Sequence, residues 1–354
     1  MKLICIVIPS TNSQSPIKGA SALANKLIKK YKILVVTLKE GKSFNRLFDN
    51  KIEHLDLSKF SWYKKYLFFL NYLISQSKKY KIQVISYCFS GDVFTSFFKN
   101  KCQIISYVRG DLYKVYRLDY GLIGIFYAWL HYEALKKFDF ILGLSKVMVE
   151  KIEKLTNKKC YLIPNFIDEN KIAKYVSLSN NTNKKINLIY VGRLTKLKSV
   201  SSIIKILDRL QKEKKFFHLD IVGDGPLREK IKKEISKLNN PELVTLHGFV
   251  DNPYPLLAKS NIFILPSKSE GISRSALEAL FLGNFCIIRD LDNSAAEYIV
   301  NGENGFLFKH DNQLPELIIK ASRIIKASKS RKNLLPNEYR QNTCIKRFEV
   351  IHNL

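Results

Sequence analysis

The chain has 354 residues, enough for two domains of ordinary size, and its hydrophobic content of 46% is sufficient to fill two cores. Its 59 basic and 31 acidic residues give a formal net charge of +28, which fits an anionic substrate, an anionic membrane surface, a nucleic acid, or simply a Lys-rich coding bias. No basic tail, Arg-rich block or known nucleic-acid-binding module is recognisable, so nucleic acid is not an expected partner.

The cysteines and the apolar runs limit the cellular compartments in which the protein is expected. The six cysteines form no Cys-x-x-Cys pair and mostly lie in apolar runs, which predicts buried thiols in a reducing compartment. The apolar run at residues 2–9 is too short for a signal peptide, so we interpret it as a first strand. The longest apolar stretches, near residues 66–74 and 122–130, fall short of the roughly 20 residues that span a bilayer. We expect a cytoplasmic protein, peripheral on the inner face of the cell membrane.

Strand-like runs alternate with helix-like segments along the chain, which is typical of parallel α/β sheets. In the first half, strands are predicted at residues 2–9, 32–38, 83–88, 103–108, 139–144 and 160–164. A polar, turn-forming stretch then indicates a linker. In the second half, strands are predicted at residues 186–191, 217–222, 244–247, 261–265, 285–288 and 305–308. The pattern predicts an α/β protein with two doubly wound, Rossmann-like domains, residues 1–168 and 186–334, joined by a linker at 169–185, with a cleft between them.

The most informative segment follows the predicted strand at 261–265. Glu270 and Glu278 flank seven residues, with Glu270 in a strand-to-helix loop and Glu278 about a turn and a half into the helix. At such a place, open α/β sheets bind ligands and backbone N–H groups meet phosphate. The alternative is an ordinary exposed helix with two surface glutamates.

The order of motifs around this pair resembles the retaining nucleotide-sugar glycosyltransferases of the GT-B fold, in particular family 4, of the polysaccharide and O-antigen biosynthesis type. Besides the Glu-x7-Glu segment, the resemblance is carried by Gly283, by the predicted strand after it, and by the run from Ala296 to Phe308. It is strong after residue 186 and looser before. In such enzymes the last helix crosses back onto the first domain, which here implies residues 335–354.

The resemblance implies a donor site built mostly by the second domain. Arg193 and Lys198, with Lys196 as an alternative lysine, match cations that neutralise the donor diphosphate, so no metal or other cofactor is expected. Glu270 matches the residue that holds donor-sugar hydroxyls near the anomeric carbon, and Glu278 matches the ribose ligand. The remaining residues matched to this part of the donor site are Gly271, Ile272, Ser273 and Arg274.

Two further loops of the second domain resemble nucleotide-binding parts of the family. Gly223 and Gly225 lie in a loop beside the nucleotide; a nicotinamide fingerprint would need a third glycine, and Arg228 occupies that place. The segment 246–250 resembles the turn that reads the nucleobase, with Phe249 and Val250 at its end. Within it, His247 is interpreted as structural. Asp290-Leu-Asp292 is interpreted as a turn rather than a metal site.

The first domain is less specific. Gly19 matches a glycine-bearing loop that meets the donor phosphate and the acceptor. Arg109 stands where many relatives carry a His that contacts the donor sugar. The resemblance thus gives Glu270, Arg193, Lys198 and Arg109 as catalytic candidates, and Arg109 and Asp111 as acceptor-side candidates. Residues 62–72 and 113–137 mix aromatic and basic side chains, which fits either an anionic lipid surface or ordinary helices packed on a sheet.

Together these features predict a hexosyltransferase that moves a hexose or N-acetylhexosamine from a nucleotide-diphosphate sugar, with a UDP-sugar favoured. The expected acceptor is a sugar hydroxyl on a polyprenyl-diphosphate carrier in bacterial surface polysaccharide synthesis. The alternatives are a sugar-nucleotide epimerase or phosphorylase on the same fold, and a non-enzymatic protein that binds membranes or polyanions. The donor sugar, the base, the linkage and the oligomeric state leave no readable signature.

Overall fold

The computed structural model describes residues 2–12, 15–41, 44–180, 186–215, 217–328 and 332–352. The chain divides into two compact units: the first joins Met1–Phe166 to Cys344–Leu354, and the second is Ile167–Thr343. The described part of the predicted linker, 169–180, belongs to the second unit and begins with a short helix. Residues 181–185 lie outside the described part of the chain.

The first unit is built on one parallel sheet. Its strands are β1 (Lys2–Ile8), β2 (Lys32–Thr37), β3 (Glu53–Asp56), β4 (Lys81–Ser86), β5 (Gln103–Tyr107), β6 (Phe140–Gly143) and β7 (Cys160–Leu162). The helices between them are α1 (Ser15–Leu27), α2 (Phe44–Leu47), α3 (Trp62–Ser77), α4 (Cys88–Ser96), α5 (Leu112–Tyr120), α6 (Ile123–Leu135) and α7 (Lys146–Thr156). The strand order is β3-β2-β1-β4-β5-β6-β7, so the chain reverses its winding direction between β1 and β4. Ligands of such sheets bind outside the carboxyl ends of the strands at this reversal.

The strands form where β-branched and apolar residues run without interruption, because a parallel sheet is covered by helices on both faces. In β1, every residue from Leu3 to Ile8 is fully buried. Strand β3 was not predicted, since Glu-His-Leu-Asp is short, polar and mostly exposed, and it pairs only with β2 at the sheet edge. The strand predicted at 83–88 ends at Ser86, because helix α4 already begins at Cys88.

The second unit repeats the architecture with six strands. They are β8 (Asn187–Val191), β9 (His218–Val222), β10 (Val244–Gly248), β11 (Ile262–Leu265), β12 (Phe285–Arg289) and β13 (Gly305–Phe308). The helices are α8 (Glu169–Ala173), α9 (Ser201–Lys212), α10 (Arg228–Ile235), α11 (Tyr254–Lys259), α12 (Arg274–Phe281) and α13 (Leu314–Ala327). All strands are parallel, in the order β10-β9-β8-β11-β12-β13, with the reversal between β8 and β11. The predicted α/β class with two doubly wound sheets is confirmed.

Helix α14 (Gln341–His352) follows the second unit, but its residues from Cys344 onward group with the first. Cys344 and Phe348 are buried, and the Nζ of Lys30, three residues beyond α1, lies 2.7 Å from the Oε1 of Glu349. The first unit is therefore assembled from two separate stretches of chain. Within the described residues, no helix is both long and apolar enough to cross a membrane.

The cysteines are free thiols, as their spacing predicted. Cys5, Cys286 and Cys344 are fully buried in the two cores. Burial also raises the pKa of Cys102 and of Cys160 to about 12, so both thiols stay protonated at neutral pH.

Candidate active site

The loops after β8, β9 and β10 are hydrogen-bonded to one another at the carboxyl edge of the second sheet. The N–H of Gly192 donates to the carbonyl oxygen of Val222 at 3.0 Å, and the N–H of Gly223 donates to the carbonyl oxygen of Gly248 at 2.7 Å. These bonds continue the pairing of the strands into the loops. The edge that carries most of the predicted donor residues is thus a connected backbone surface.

Gly223 and Gly225 permit this close packing of loops. Gly223 has a φ of +143°, and a Cβ added there would lie 1.8 Å from the carbonyl oxygen of Gly192. A Cβ added at Gly225 would lie 2.5 Å from the carbonyl oxygen of Leu194. The structure therefore gives both glycines a packing reason, and their predicted contact with the donor stays a prediction.

Gly223→Ala is expected to destabilise the protein by about 3 kcal/mol or more, because the new methyl group overlaps backbone in a conformation that strains L-residues. Denaturant unfolding measures this change in the free energy of unfolding. Gly302→Ala is the matched control, since Gly302 has a φ of +84° but open space around its Cα; it should cost only about 1 kcal/mol. Equal losses in the two variants would contradict the packing argument.

Lys198 and Glu270, predicted on separate loops, meet in the structure. The Nζ of Lys198 donates a hydrogen bond to the Oε1 of Glu270, and their side chains are 23% and 19% exposed. The two loops are also joined by the backbone, since the N–H of Lys268 donates to the carbonyl oxygen of Leu197 at 2.8 Å. The loops after β8 and β11, the two strands at the reversal point, therefore share one ion pair.

The other cations of the β8–α9 loop face solvent. Arg193 and Lys196 are exposed, and the carbonyl oxygen of Arg193 accepts a hydrogen bond from the hydroxyl of buried Tyr190 at 2.9 Å. The structure pairs Lys198 with Glu270 and leaves Lys196 at the surface, and which of the two lysines neutralises the donor diphosphate stays a prediction.

The loop after β12 is hydrogen-bonded to the backbone of Glu270. The hydroxyl of Ser294 lies 3.0 Å from the carbonyl oxygen of Glu270 and 2.7 Å from Oδ1 of Asp292, so it bridges the two loops. The buried carboxylate of Asp290 accepts from the N–H groups of Ala295 and Ala296, each at 3.3 Å. Both aspartates of the Asp-x-Asp sequence are thus engaged in shaping a turn.

Two buried phenols lie within electrostatic reach of Glu270. Tyr190 and Tyr298 are almost fully buried, and burial, followed by the negative charge of Glu270, raises the pKa of each phenol. Both phenols therefore stay neutral. Sequence reasoning missed them, although Tyr190 lies in the predicted strand at 186–191 and Tyr298 lies in the matched run after Ala296.

The amino terminus of α12 lies directly beyond Glu270. Gly271 and Ile272 are buried, and Ser273 caps the helix by accepting a hydrogen bond from the N–H of Ala276 at 3.5 Å. The first helical residue, Arg274, has a buried Nη1 that makes no hydrogen bond within the described part of the chain. A buried guanidinium N–H without a partner is costly, and a helix amino terminus attracts anions, so this corner is suited to a negatively charged ligand.

Glu278 faces a pair of tyrosines. Its side chain is 9% exposed, and its Oε1 accepts from the hydroxyl of Tyr254 at 3.4 Å. Burial, and then the charge of Glu278, raise the pKa of Tyr254. The ring of Tyr254 lies 5.8 Å from that of Tyr175, whose hydroxyl accepts from the side-chain amide of Asn252 at 2.6 Å. A flat ligand with polar edges would therefore contact both a carboxylate and aromatic rings here. Neither tyrosine lies in a motif that is recognisable in the sequence.

The carboxyl end of β10 and the loop after it differ in their contacts and exposure. The imidazole Nε2 of His247 lies 2.6 Å from Oδ1 of Asp220 in the neighbouring strand, which is the structural role expected for that histidine. Gly248 has a φ of +72°, and an added Cβ there would lie 2.6 Å from Nη1 of Arg228. The side chain of Arg228, which stands where a nicotinamide fingerprint would need a third glycine, therefore packs on this turn. Phe249 is 60% exposed and Val250 is half-buried, which leaves both available for contact with a ligand.

In the first unit, Gly19 and Arg109 are brought together. A Cβ added at Gly19 would lie 2.6 Å from both terminal nitrogens of Arg109, so the guanidinium lies directly over the start of α1. Its Nη2 donates to Oδ1 of buried Asn165, and its Cζ lies 5.2 Å from the centroid of the Tyr107 ring. A fixed cation therefore stands at the carboxyl edge of the first sheet, where the resemblance placed a histidine.

Asp111 is engaged within its own unit. It caps α5 by accepting from the N–H of Lys114 at 3.2 Å, and its Oδ2 accepts from the Nζ of Lys151 at 2.6 Å. Both carboxylate oxygens thus have structural partners, and the predicted acceptor role of Asp111 remains a prediction.

Comparison with known proteins places this geometry in context. Residues 171–341 match the family model for glycosyl transferases group 1. The N-acetylgalactosamine-N,N'-diacetylbacillosaminyl-diphospho-undecaprenol 4-alpha-N-acetylgalactosaminyltransferase of Campylobacter jejuni is 33% identical over 180 residues, which cover 50% of this chain and 48% of that protein. The O-antigen biosynthesis glycosyltransferase WclY of Escherichia coli is 29% identical over 197 residues, which cover 52% of this chain and 53% of that protein. This chain thus spans about half the length of these curated relatives.

Among solved structures, Anabaena HepE in complex with UDP-glucose matches this chain with a TM-score of 0.78 at 14% identity, and the match covers 100% of both chains. The two doubly wound parallel sheets and this likeness define the GT-B fold. Within that fold, residues 171–341 are similar to the glycosyl transferases group 1 family, as the motifs after residue 186 predicted.

Proposed function

We propose that the protein is a retaining glycosyltransferase that moves a hexose or N-acetylhexosamine from a nucleotide-diphosphate sugar to a sugar hydroxyl. The observation that carries the proposal is the arrangement at the carboxyl edge of the second sheet. There the Lys198–Glu270 pair lies beside the amino terminus of α12, where Arg274 has a buried N–H without a hydrogen-bond partner. Cations, helix N–H groups and a carboxylate together match a diphosphate joined to a polyhydroxylated ring.

In this proposal, Glu270 accepts hydrogen bonds from the donor sugar near the anomeric carbon, while Lys198 turns from Glu270 toward the diphosphate. Arg193, exposed in the same loop, supplies a second positive charge. These cations stabilise the charge that grows on the leaving diphosphate, the task that a metal performs in other glycosyltransferases, so we propose transfer without a metal. Arg109, held over Gly19, would contact the donor or acceptor from the first unit.

The acceptor we propose is carried on a polyprenyl diphosphate. Support comes from the Campylobacter relative, whose name specifies a diphospho-undecaprenol acceptor, and from the O-antigen function named for the Escherichia coli relative. A UDP-sugar is favoured as the donor, in line with the UDP-glucose bound by HepE. Surface polysaccharide synthesis is the setting that follows.

A panel of UDP-, GDP- and dTDP-sugars tests the donor half of the proposal. Thermal stability is measured with each compound, followed by nucleoside diphosphate release with and without a bacterial membrane lipid extract. The expected result is stabilisation by one donor and release that depends on the lipid. Release without any acceptor, accompanied by sugar isomerisation or phosphorolysis, would instead identify an epimerase or phosphorylase. Stabilisation by no nucleotide sugar would refute the proposal.

Glu278→Ala is expected to weaken nucleotide binding by about tenfold to a hundredfold, because each hydrogen bond to a charged group contributes roughly 1.5–3 kcal/mol. Calorimetric titration with the nucleoside diphosphate measures the loss. Glu303→Ala, an exposed glutamate of the same unit, is the control. An unchanged affinity in Glu278→Ala would remove Glu278 from the ribose role.

We also propose that the first unit rests on an anionic membrane surface. Helices α3 and α6 bury side chains such as Phe69 and Leu135 in the core, yet they and the α5–α6 turn also expose apolar side chains. Exposed apolar side chains there include Trp62, Tyr63, Phe68, Leu122, Ile123, Phe126 and Trp129. Basic residues Lys64, Lys114, Arg117, Lys136 and Lys137 lie in or beside these helices. Aromatic and basic side chains on one surface suit the headgroup region of a bilayer.

Phe126→Ser combined with Trp129→Ser is expected to lower the affinity for vesicles that contain phosphatidylglycerol by about tenfold or more, because each buried aromatic side chain contributes roughly 1.5–3 kcal/mol. Co-sedimentation with the vesicles measures binding. Leu291→Ser combined with Val300→Ser, two similarly exposed apolar residues of the second unit, is the control. Equal binding by all proteins, or equal binding to pure phosphatidylcholine, would contradict the assignment.

A further inference from the structure

A buried chain of polar side chains lies in the first unit, apart from the candidate donor-site and acceptor-side residues. Asp92 on α4 and His131 on α6 are 1% and 2% exposed, and Nε2 of His131 lies 2.7 Å from Oδ2 of Asp92. The hydroxyl of Ser86 donates to the other oxygen of Asp92, and the hydroxyl of Tyr116 on α5 lies 2.9 Å from Nδ1 of His131. With a neutral His131 that donates its Nε2–H to Asp92, Nδ1 accepts from the phenol of Tyr116.

Burying such a chain gains little stability, because the desolvation of the carboxylate offsets much of what its hydrogen bonds contribute. What the chain does provide is a defined position for Tyr116, whose hydroxyl is tied through His131 and Asp92 to the last residue of β4. Burial, and then the charge of Asp92, raise the pKa of Tyr116, so the phenol stays protonated and keeps donating to His131.

Tyr116 is one member of a closed set of four rings, which we name the aromatic cluster: Phe89, Tyr116, Tyr120 and Tyr127. Successive ring centroids around this set lie 6.1, 6.3, 5.8 and 5.9 Å apart, from Phe89 through Tyr116, Tyr120 and Tyr127 back to Phe89. Exposure increases outward, since Phe89 and Tyr116 are half-buried while Tyr127 and Tyr120 are 39% and 60% exposed. The cluster is thus a surface with a rigid inner end.

The inner end of the cluster lies at the carboxyl end of β4, the strand next to the reversal point of the first sheet. Helix α4 begins there at Cys88, which has a φ of +64° although it is not glycine, and Phe89 follows directly. Such backbone strain is concentrated at functional sites. The ring of Phe89 also lies 5.4 Å from the imidazole of His131, so the strained turn, the buried chain and the cluster meet at one place.

We propose that the aromatic cluster binds a pyranose ring of the acceptor, an inference that rests on the proposed function of the protein as a glycosyltransferase. A pyranose has faces lined by C–H bonds and an edge of hydroxyl groups. Aromatic faces cover the former, and phenol hydroxyls hydrogen-bond the latter. An isoprenoid chain is the poorer fit, because it would desolvate the phenol hydroxyls of Tyr120 and Tyr127 without replacing their hydrogen bonds.

Two of the membrane-facing side chains, Phe126 and Trp129, lie on a different face of α6 from Tyr127. Tyr127 and His131 are four residues apart and share one face, whereas Phe126 and Trp129 are three apart and share another. In this proposal, the surface with Phe126 and Trp129 contacts the bilayer, and the aromatic cluster contacts the sugar of a lipid-linked acceptor. Substitutions on each can be tested separately.

The test uses octyl glycosides of glucose, galactose, N-acetylglucosamine and N-acetylgalactosamine as probes, with the full chain observed by saturation-transfer NMR. Wild-type protein should saturate the ring protons of at least one glycoside. Tyr120→Ala combined with Tyr127→Ala should weaken that binding by roughly tenfold or more. Tyr116→Phe, which keeps the ring but removes the bond to His131, should weaken it by a smaller factor. Tyr80→Ala is the control, since Tyr80 precedes β4 at the opposite edge of the same sheet.

Unchanged glycoside binding by the double variant, or no binding by the wild type to any probe, would overturn the proposal. Thermal stabilisation by a nucleotide sugar, measured on the same variants, separates this inference from the proposed function. A double variant that keeps donor stabilisation but loses glycoside binding supports both ideas. Loss of glycoside binding in a protein that no nucleotide sugar stabilises would support the sugar site and refute the transferase.

Discussion

Glu270→Ala is expected to lower kcat/KM for sugar transfer by about 10³-fold while the protein still folds. The carboxylate is the group placed to bind the donor sugar, and its only described side-chain partner is Lys198, which is 23% exposed and can be solvated when Glu270 is removed. We therefore expect the free energy of unfolding to change by no more than about 1–2 kcal/mol. Transfer is measured with the donor that the nucleotide-sugar panel identifies.

Glu270→Gln separates charge from hydrogen bonding. It keeps the size of the side chain and one acceptor oxygen, so a large loss in this variant would assign the effect to the negative charge. Glu303→Gln makes the same chemical change at an exposed position of the same unit and should leave transfer unchanged. Wild-type turnover in Glu270→Ala would remove Glu270 from the proposed mechanism.

Lys198→Met is expected to lower transfer by about 10²-fold, because it removes a cation that would stabilise the leaving diphosphate while keeping most of the apolar stem. Lys196→Met is a close control: it lies two residues away in the same loop and is exposed. A steady-state comparison of kcat and KM shows whether the loss occurs in binding or in the chemical step. Equal losses in the two variants would indicate a general effect of loop charge instead.

Because Lys198 and Glu270 are paired, their substitutions should not be additive. Either single change leaves the other charge without its partner, so the double variant Lys198→Met with Glu270→Ala should lose less activity than the product of the two single losses. Strict additivity would mean that the pair seen here contributes nothing to the active state.

The architecture was predictable because uninterrupted apolar runs mark buried parallel strands. The six strands of the second unit were predicted to within two residues of their ends. Strand β3 escaped because its pattern is polar, and it is held in place by pairing with β2 rather than by burial. Such an edge strand is specified by tertiary context, which a local pattern does not contain.

The candidate site was predictable only where residues are close in sequence or matched a motif. Glu270 and Glu278 emerged from one short segment, whereas the contact of Glu270 with Lys198 joins residues 72 positions apart. Asp92 and His131 are 39 positions apart in helices with no motif, and their pairing depends on how α4 and α6 pack. A single sequence gives the identity of each side chain, but which side chains contact one another depends on the fold.

The split composition of the first unit has a consequence for how the chain is made. Segment 344–354 packs with a body whose other residues all precede position 167, while the second unit is continuous. A ribosome therefore releases the whole second unit before the first receives its final helix. We infer that, during synthesis, residues 1–166 remain incomplete until α14 has been made. Until then they expose the apolar surface that Phe348 and Ile351 later cover. Maturation of the first unit should therefore end with a segment that is made after the second unit.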